Sequence, residues 1–290
     1  MDLSIHKNYR RQDSLRRSFN ALAGETFDGL DFENWYQNGF WSDRYNPHSI
    51  IDNGEVIANV SVNMMDFLWN GQLRHLIQLG TVMTRKSFRH QGLIRQIMNE
   101  IDRQYGQTAD GIYLFANDSV LDFYPKFGFR KAREYCYTKP FYTSRECTLI
   151  RVPMREKADW KKLENAMHGS VSYSRLNMIE NDSLIMFYIT GFMQDSVYYD
   201  PKHDAYVIAE FDADTLIVHN VFSGKKYPLD DILAGFGAGV RQIALGFTPI
   251  DEKTYRIAPF KEEDCTLFVK GPVFDGFEAD RLIFPTLSHA

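Results

Sequence analysis

The chain has 290 residues, 44% of them hydrophobic and 24% charged, a composition that suits a globular protein with a buried core and excludes a disordered or fibrous one. The length allows one large domain or two modest ones, and the formal charge of −5 argues against a nucleic-acid partner, which needs a strongly basic face. The most apolar run, "SLIMFYITGFM", is too short to span a bilayer, so no membrane partner is expected. The start, "MDLSIHKNYRRQDSLRRSF", has no apolar signal stretch, and Cys136, Cys147 and Cys265 form no C-x-x-C pair with a histidine at ligand spacing. Those features predict a soluble, cytoplasmic protein with reduced, structural thiols and no metal site.

In chain order, residues 12–23 and 31–41 read as two short helices, the second rich in aromatics: Phe32, Trp35, Tyr36, Phe40 and Trp41. A strand around 49–52 runs into Asn53-Gly54, a two-residue hairpin signal. Val56, Ala58, Val60 and Val62 then alternate with Asn59, Ser61 and Asn63, the pattern of a strand with one buried side. Asn70-Gly71 marks a second hairpin, and "LRHLIQLGTVMT" is the strand that follows. After Gly92, the positions Leu93, Ile94, Ile97, Met98, Ile101 and Tyr105 recur at helical spacing. "GIYLFA" reads as a buried strand, completing a parallel β-α-β crossover. Asn117, Asp118 and Ser119 are expected to cap a further helix that stops at Gly128.

A boundary is expected near residues 145–155, giving a first domain over 1–145 and a smaller α+β domain over 150–290. In the latter, residues 205–224 read as a hairpin, "LDDILAGF" as a short helix, and "VRQIALGF" and "CTLFVKG" as strands. "WYQNGFWSD" and "FYITGFMQD" share spacing and four identities. One reading makes the second domain a degenerate copy of the first; two similar amphipathic helices entering loops is the other.

Chemistry is expected where "TVMTRKSFRHQGLIRQIM" passes from strand through a basic turn into a helix. The first turn of a helix has unpaired N–H groups and the positive end of the dipole, and Gly92 lets an anion approach closely. No Gly-Lys-Ser/Thr follows, so this is no Walker loop, and a single glycine makes no dinucleotide fingerprint. No G-x-S-x-G supports a serine hydrolase, and "FKEEDC" reads as a solvated loop.

Val82-x-Thr84 followed by "FRHQGLI" resembles the acyl-CoA-binding motif of the GNAT acyltransferases, R/Q-x-x-G-x-G/A, with spacing most like the Eis-like branch. "FANDSVLDFYPKFGFRKAREY" resembles the second signature of that superfamily, and with the β-meander ahead of them the resemblance covers about residues 1–140. The resemblance implies an α/β GNAT fold, with a mixed, mostly antiparallel twisted sheet flanked by helices. It implies acetyl-CoA as co-substrate: main-chain groups of Val82, Met83 and Thr84 along the pantetheine, an oxyanion bound by the Val82 or Met83 amide, and the pyrophosphate held by Arg89, His90, Gln91, Gly92, Leu93, Ile94 and Arg95. It places Asn117 at the cofactor and makes the Tyr124 hydroxyl the acid that protonates the departing thiolate.

Ile94 stands where the motif has Gly or Ala, and residues 76–83 carry no carboxylate. The acceptor's proton is then expected to go to water, to Asp43 or Asp66, to bulk solvent before binding, or, as the Eis-like branch suggests, to a C-terminal carboxylate brought in by the tail "FPTLSHA". The leading expectation is a GNAT N-acetyltransferase that transfers an acetyl group from acetyl-CoA to a primary amine by direct attack in a ternary complex. Its partner is a small-molecule or peptide amine, held by Trp35 or Trp41 as a cation, and a homo-oligomer is left open. The alternative is a non-catalytic acyl-CoA-binding sensor or scaffold.

Overall fold

Two Asn-Gly turns set the frame. The computed structural model describes residues 4–290, so residues 1–3 of the expected first domain lie outside it. Strand β1 (Ile5–His6) leads to helices α1 (Asp13–Thr26) and α2 (Glu33–Gln37). A meander follows: β2 (Tyr45–Asp52), β3 (Glu55–Trp69) and β4 (Gln72–Thr84). Both of its turns have positive φ at Asn and Gly (49° and 82° at residues 53–54, 48° and 80° at 70–71), which a right-twisted two-residue hairpin requires. Helix α3 (Leu93–Tyr105) carries the chain to β5 (Gly111–Ala116), β6 (Arg130–Lys131) and β7 (Glu134–Pro140). The second half holds β8 (Ile150–Arg151), α4 (Lys157–His168), β9 (Leu176–Ile179), α5 (Asp182–Gly191), β10 (Val197–Asp200), β11 (Ala205–Asp212) and β12 (Thr215–Ser223). It ends with α6 (Leu229–Leu233), β13 (Gln242–Leu245), β14 (Arg256–Phe260) and β15 (Thr266–Lys270).

The strands form two mixed, largely antiparallel sheets. The first has the order β1-β2-β3-β4-β5-β15-β6, with β9 also paired to β3, and the second β8-β10-β11-β12-β13-β7-β14. The two orders match position for position, and so do the pairing senses: β4–β5 and β12–β13 are parallel, the pairs flanking each antiparallel. The halves have exchanged one strand each. After β6 the chain crosses into the second sheet as β7; it touches the first sheet again at β9, on β3, and rejoins its main order at β15, which lies between β5 and β6. The expected division at 145–150 is therefore cut across by residues 134–140 and 266–270.

Two local expectations differ from the structure. The helix expected after Asn117 is instead a pair of 3₁₀ turns, Asp118–Val120 and Tyr124–Phe127. Asn117 does not cap; its side chain bonds Asp264, and Pro125 removes an N–H that a continuing helix would use. Helix α2 stops at Gln37 rather than running to residue 41, because Gly39 reverses the chain with φ 81°.

Helix α3 packs on β2, β3 and β4 and buries Leu93, Ile97, Met98, Ile101 and Tyr105 in one core that also includes Phe268. At ~1.5–3 kcal/mol for each large apolar side chain taken from water, this face alone holds the helix in place. Met65 and Met83 are buried and Met64 partly so, as packing residues should be. Among the described residues no helix is long and apolar enough to cross a membrane.

Phe268 is fully buried on the exchanged strand β15, so Phe268→Ala should lower stability by about 3–5 kcal/mol. A urea titration checks this; a midpoint within error of the parent would show that β15 contributes little to either core.

Candidate active site

β4 and β5 pair in parallel from Leu76/Gly111 to Leu79/Leu114 and then part. The cause lies on the other edge of β4. Asn59 pairs Met83 and Ser61 pairs Gly80, so two residues, Thr81 and Val82, oppose Val60 alone. Thr81 is driven to φ +46°, a costly conformation for a β-branched residue. Buried polar groups hold it there. The Asn59 amide donates to the Thr81 carbonyl at 2.8 Å, the Tyr45 hydroxyl lies 2.5 Å from Thr81 Oγ1, and Ser49 joins Asn59 to Tyr9 at 2.7 and 2.6 Å. Asn59 and Ser61, which the alternation placed on the strand's polar side, are buried in this network together with Ser49, and Asn63 is buried too.

Beyond the split, α3 presents its N-terminus. Gly92 is its N-cap with φ 79°, and a Cβ there would meet open space. His90 is also left-handed, with φ 65°. No side chain caps the helix, and among the described residues none of the amides of residues 90–95 has a protein partner. Gln91 donates back to the Ser87 carbonyl and Arg89 to the Thr84 carbonyl, each at 3.3 Å, which closes the basic turn onto the end of β4. Arg95 lies over the Phe127 ring at 5.8 Å, and Ile94 packs against the core. Thus Val82, Met83 and Thr84, the turn and the helix start stand together. This is an open strand edge next to a row of free donors, suited to a chain with an amide-bearing arm and a diphosphate.

Tyr124 is 4% exposed, with its ring against Phe123, Phe129 and Phe268 and no hydrogen-bond partner for its hydroxyl. Burial lifts its pKa to about 12, so it keeps its proton throughout the neutral range. Asn117 sits at the end of β5, its amide donating to Asp264 at 2.8 Å. The carboxylates considered as bases are otherwise engaged. Asp43 pairs with Arg10, and Asp66 bonds Arg44 and His75 at 2.9 and 2.7 Å, near the far end of β4. Trp35 and Trp41 are only 2% and 3% exposed, with their indole N–H groups on the Ser183 and Tyr45 carbonyls, so they build the core under α1 and offer no face to an amine.

The tail reaches the split. A Cβ on Gly80 would lie 2.1 Å from the Ala290 carbonyl oxygen, so the tail rests directly on the strand where β4 leaves β5. Tyr188 donates to the His289 carbonyl at 2.5 Å, and the His289 ring stacks on Phe115 at 3.7 Å. Burial holds that imidazole near pKa 4, and its Nε2 has no partner. The loop before β15 lies alongside, bringing Glu262 and Cys265 close to His289. Buried Glu134 accepts the Phe284 N–H at 2.8 Å. Burial lifts its carboxyl to about 8, and the charge of Glu262 adds to the rise. Sequence reasoning missed these residues because nothing in "FKEEDC" reveals that a histidine 24 positions beyond Cys265 folds back on it.

The raised Glu134 carboxyl stabilises the fold fully below about pH 4.5, and that contribution fades as pH rises through about 8, where the buried group must ionise. Glu134→Gln should therefore gain stability relative to the parent between pH 5.5 and pH 9, by an amount on the order of a few kcal/mol. Denaturant midpoints at the two pH values check it; the same difference between variant and parent at both would show that the carboxyl ionises freely.

Residues 12–132 match the acetyltransferase (GNAT) domain family. No curated protein matches the chain. Its fold is similar to that of an Enterococcus faecalis V583 protein described as a probable N-acyltransferase, at 16% identity and TM-score 0.61, over 93% of this chain and 72% of that one. Eis1 from Mycobacterium abscessus is similar at 14% identity and TM-score 0.55, over 91% and 72% of the two chains. A GCN5-related N-acetyltransferase from Kribbella flavida is similar at 14% identity and TM-score 0.53, over 92% and 71%. The split β4–β5 pair, the bulge and the open helix start thus lie within the residues that match the acetyltransferase (GNAT) domain family, in a chain whose fold is similar to that of Eis1.

Proposed function

We propose that the protein is an acetyl-CoA-dependent N-acetyltransferase that acetylates a primary amine by direct attack in a ternary complex. The observation that carries this reading is the row of unpartnered amides over residues 90–95, beside the edge that β4 exposes when it leaves β5. The pyrophosphate of the cofactor would rest on those amides with Arg89 beside it, and the pantetheine would pair along Val82, Met83 and Thr84 as an added strand. Asn117 would face the cofactor from the end of β5.

In the reaction, the amine nitrogen attacks the thioester carbon while the Val82 or Met83 N–H stabilises the oxyanion. The C–S bond breaks, and Tyr124 gives its proton to the departing thiolate. Asp43 and Asp66 are tied up in ion pairs, whereas the tail lies against Gly80. Where Ala290 is the last residue of the chain, its carboxylate takes the proton from the amine. The second half, matched to the first strand by strand, serves in this reading as a degenerate structural copy: its short α6 replaces α3, and Thr286 fills the space over Gly246 beside its own parallel pair.

Thiol release from acetyl-CoA across a panel of primary amines tests the proposal. Tyr124→Phe should lower kcat by about 10²-fold or more, and Arg89→Ala should raise KM for acetyl-CoA with a smaller effect on kcat. Deleting residues 289–290 should remove turnover while CoA still raises the melting temperature. CoA binding with no release across the panel would favour the sensor reading instead. Absence of both binding and release would overturn acyl-CoA chemistry at this site.

A further inference from the structure

Glu262, Cys265 and His289 each place one ligand atom within 4.8 Å of the others, on the loop before β15 and on the tail. Two independent features point to an occupant. The His289 Nε2 is fully enclosed and has no partner, although the ring is fixed by Phe115 on one side and its carbonyl by Tyr188. A buried nitrogen held this firmly without a hydrogen bond costs about 1–3 kcal/mol unless something ligates it. The opposing turn is equally fixed. Glu262 and Cys265 form an isolated β-bridge, and Asp264 between them accepts from the Asn117 amide and the Asp118 N–H at 2.8 and 2.6 Å. No lysine or arginine side chain pairs with Glu262 or Glu134 among the described residues.

We propose that Glu262, Cys265 and His289 form a zinc site that clamps the tail to the β15 loop and so holds Ala290 against Gly80. A thiolate, an imidazole and a carboxylate suit a borderline divalent ion and disfavour magnesium or calcium. Zinc bonds of ~2.0–2.3 Å require the three atoms to close by about 1 Å, which side-chain rotation on an exposed glutamate and a half-buried cysteine permits. Binding releases the thiol proton to solvent, with no change of oxidation state. Three protein ligands leave a fourth position for water.

The test uses the full chain after chelator treatment, with zinc in equilibrium dialysis and cobalt as an optical probe. One equivalent of zinc and a thiolate-to-cobalt charge-transfer band are expected. Cys265→Ser and His289→Ala should each weaken zinc binding by at least about tenfold, and Cys147→Ser, at an exposed thiol away from the cluster, should not. If His289→Ala lowers the melting temperature of the metal-free protein, Glu262→Gln at an exposed position carries the comparison with the same expected loss. Unchanged zinc stoichiometry in Cys265→Ser, a cobalt spectrum without the thiolate band, or no bound zinc would each overturn the site. The readout needs no acyl donor, so its failure leaves the transfer reading standing, and failure of transfer leaves the zinc site standing.

Discussion

The backbone of Thr81 governs the functional end of the molecule. Its left-handed φ lodges one extra residue in β4, and that residue turns the strand away from β5 just after their last paired residues, Leu79 and Leu114. Without the bulge, β4 and β5 would continue as an ordinary parallel pair, with their edge groups satisfied by each other. A strained threonine persists only where its surroundings over-determine it. Here Asn59 holds its carbonyl, Tyr45 its hydroxyl, and Ser49 and Tyr9 hold Asn59 in turn. Buried polar chains of this kind are costly when incomplete and rigid when satisfied, which suits a structure that must keep a gap open.

The same device recurs in the second sheet. Ile208 pairs Asn220 and Ala209 pairs Val218, so His219 is the extra residue on β12, just where β12 stops pairing with β13. There the opening is closed: Thr286 bonds His219 at 2.8 Å and packs on Gly246. The tail therefore crosses the mouth of one split pair on its way to the other. The exchange of β7 and β15 makes each sheet depend on the other half for the strand next to its edge, so the tail, the β15 loop and the first sheet are positioned by one continuous core.

Charge follows the same geography. The helix start and its basic turn supply donors on one side of the split. Across it, the β15 loop and the tail gather acids around a buried imidazole.

Much of this was legible in the chain itself. The Asn-Gly dipeptides determine their hairpins because only residues tolerant of positive φ close such turns, and the spacing from Leu93 to Tyr105 determines α3 because one face must be buried. The helix start at Gly92 could also be read, since the turn that opens α3 is made by residues adjacent in the chain. What the sequence could not disclose was set by contacts distant in the chain. Polar Asn59 and Ser61 proved to be buried because partners from β2 and β4 satisfy them, and Trp35 and Trp41 went to the core because α5 and β2 accept their N–H groups. The exchange of β7 and β15, and the meeting of Cys265 with His289, depend on which sheet edge a returning strand finds open. That choice belongs to the packing of the whole chain, because neither strand carries a local signal of its partner.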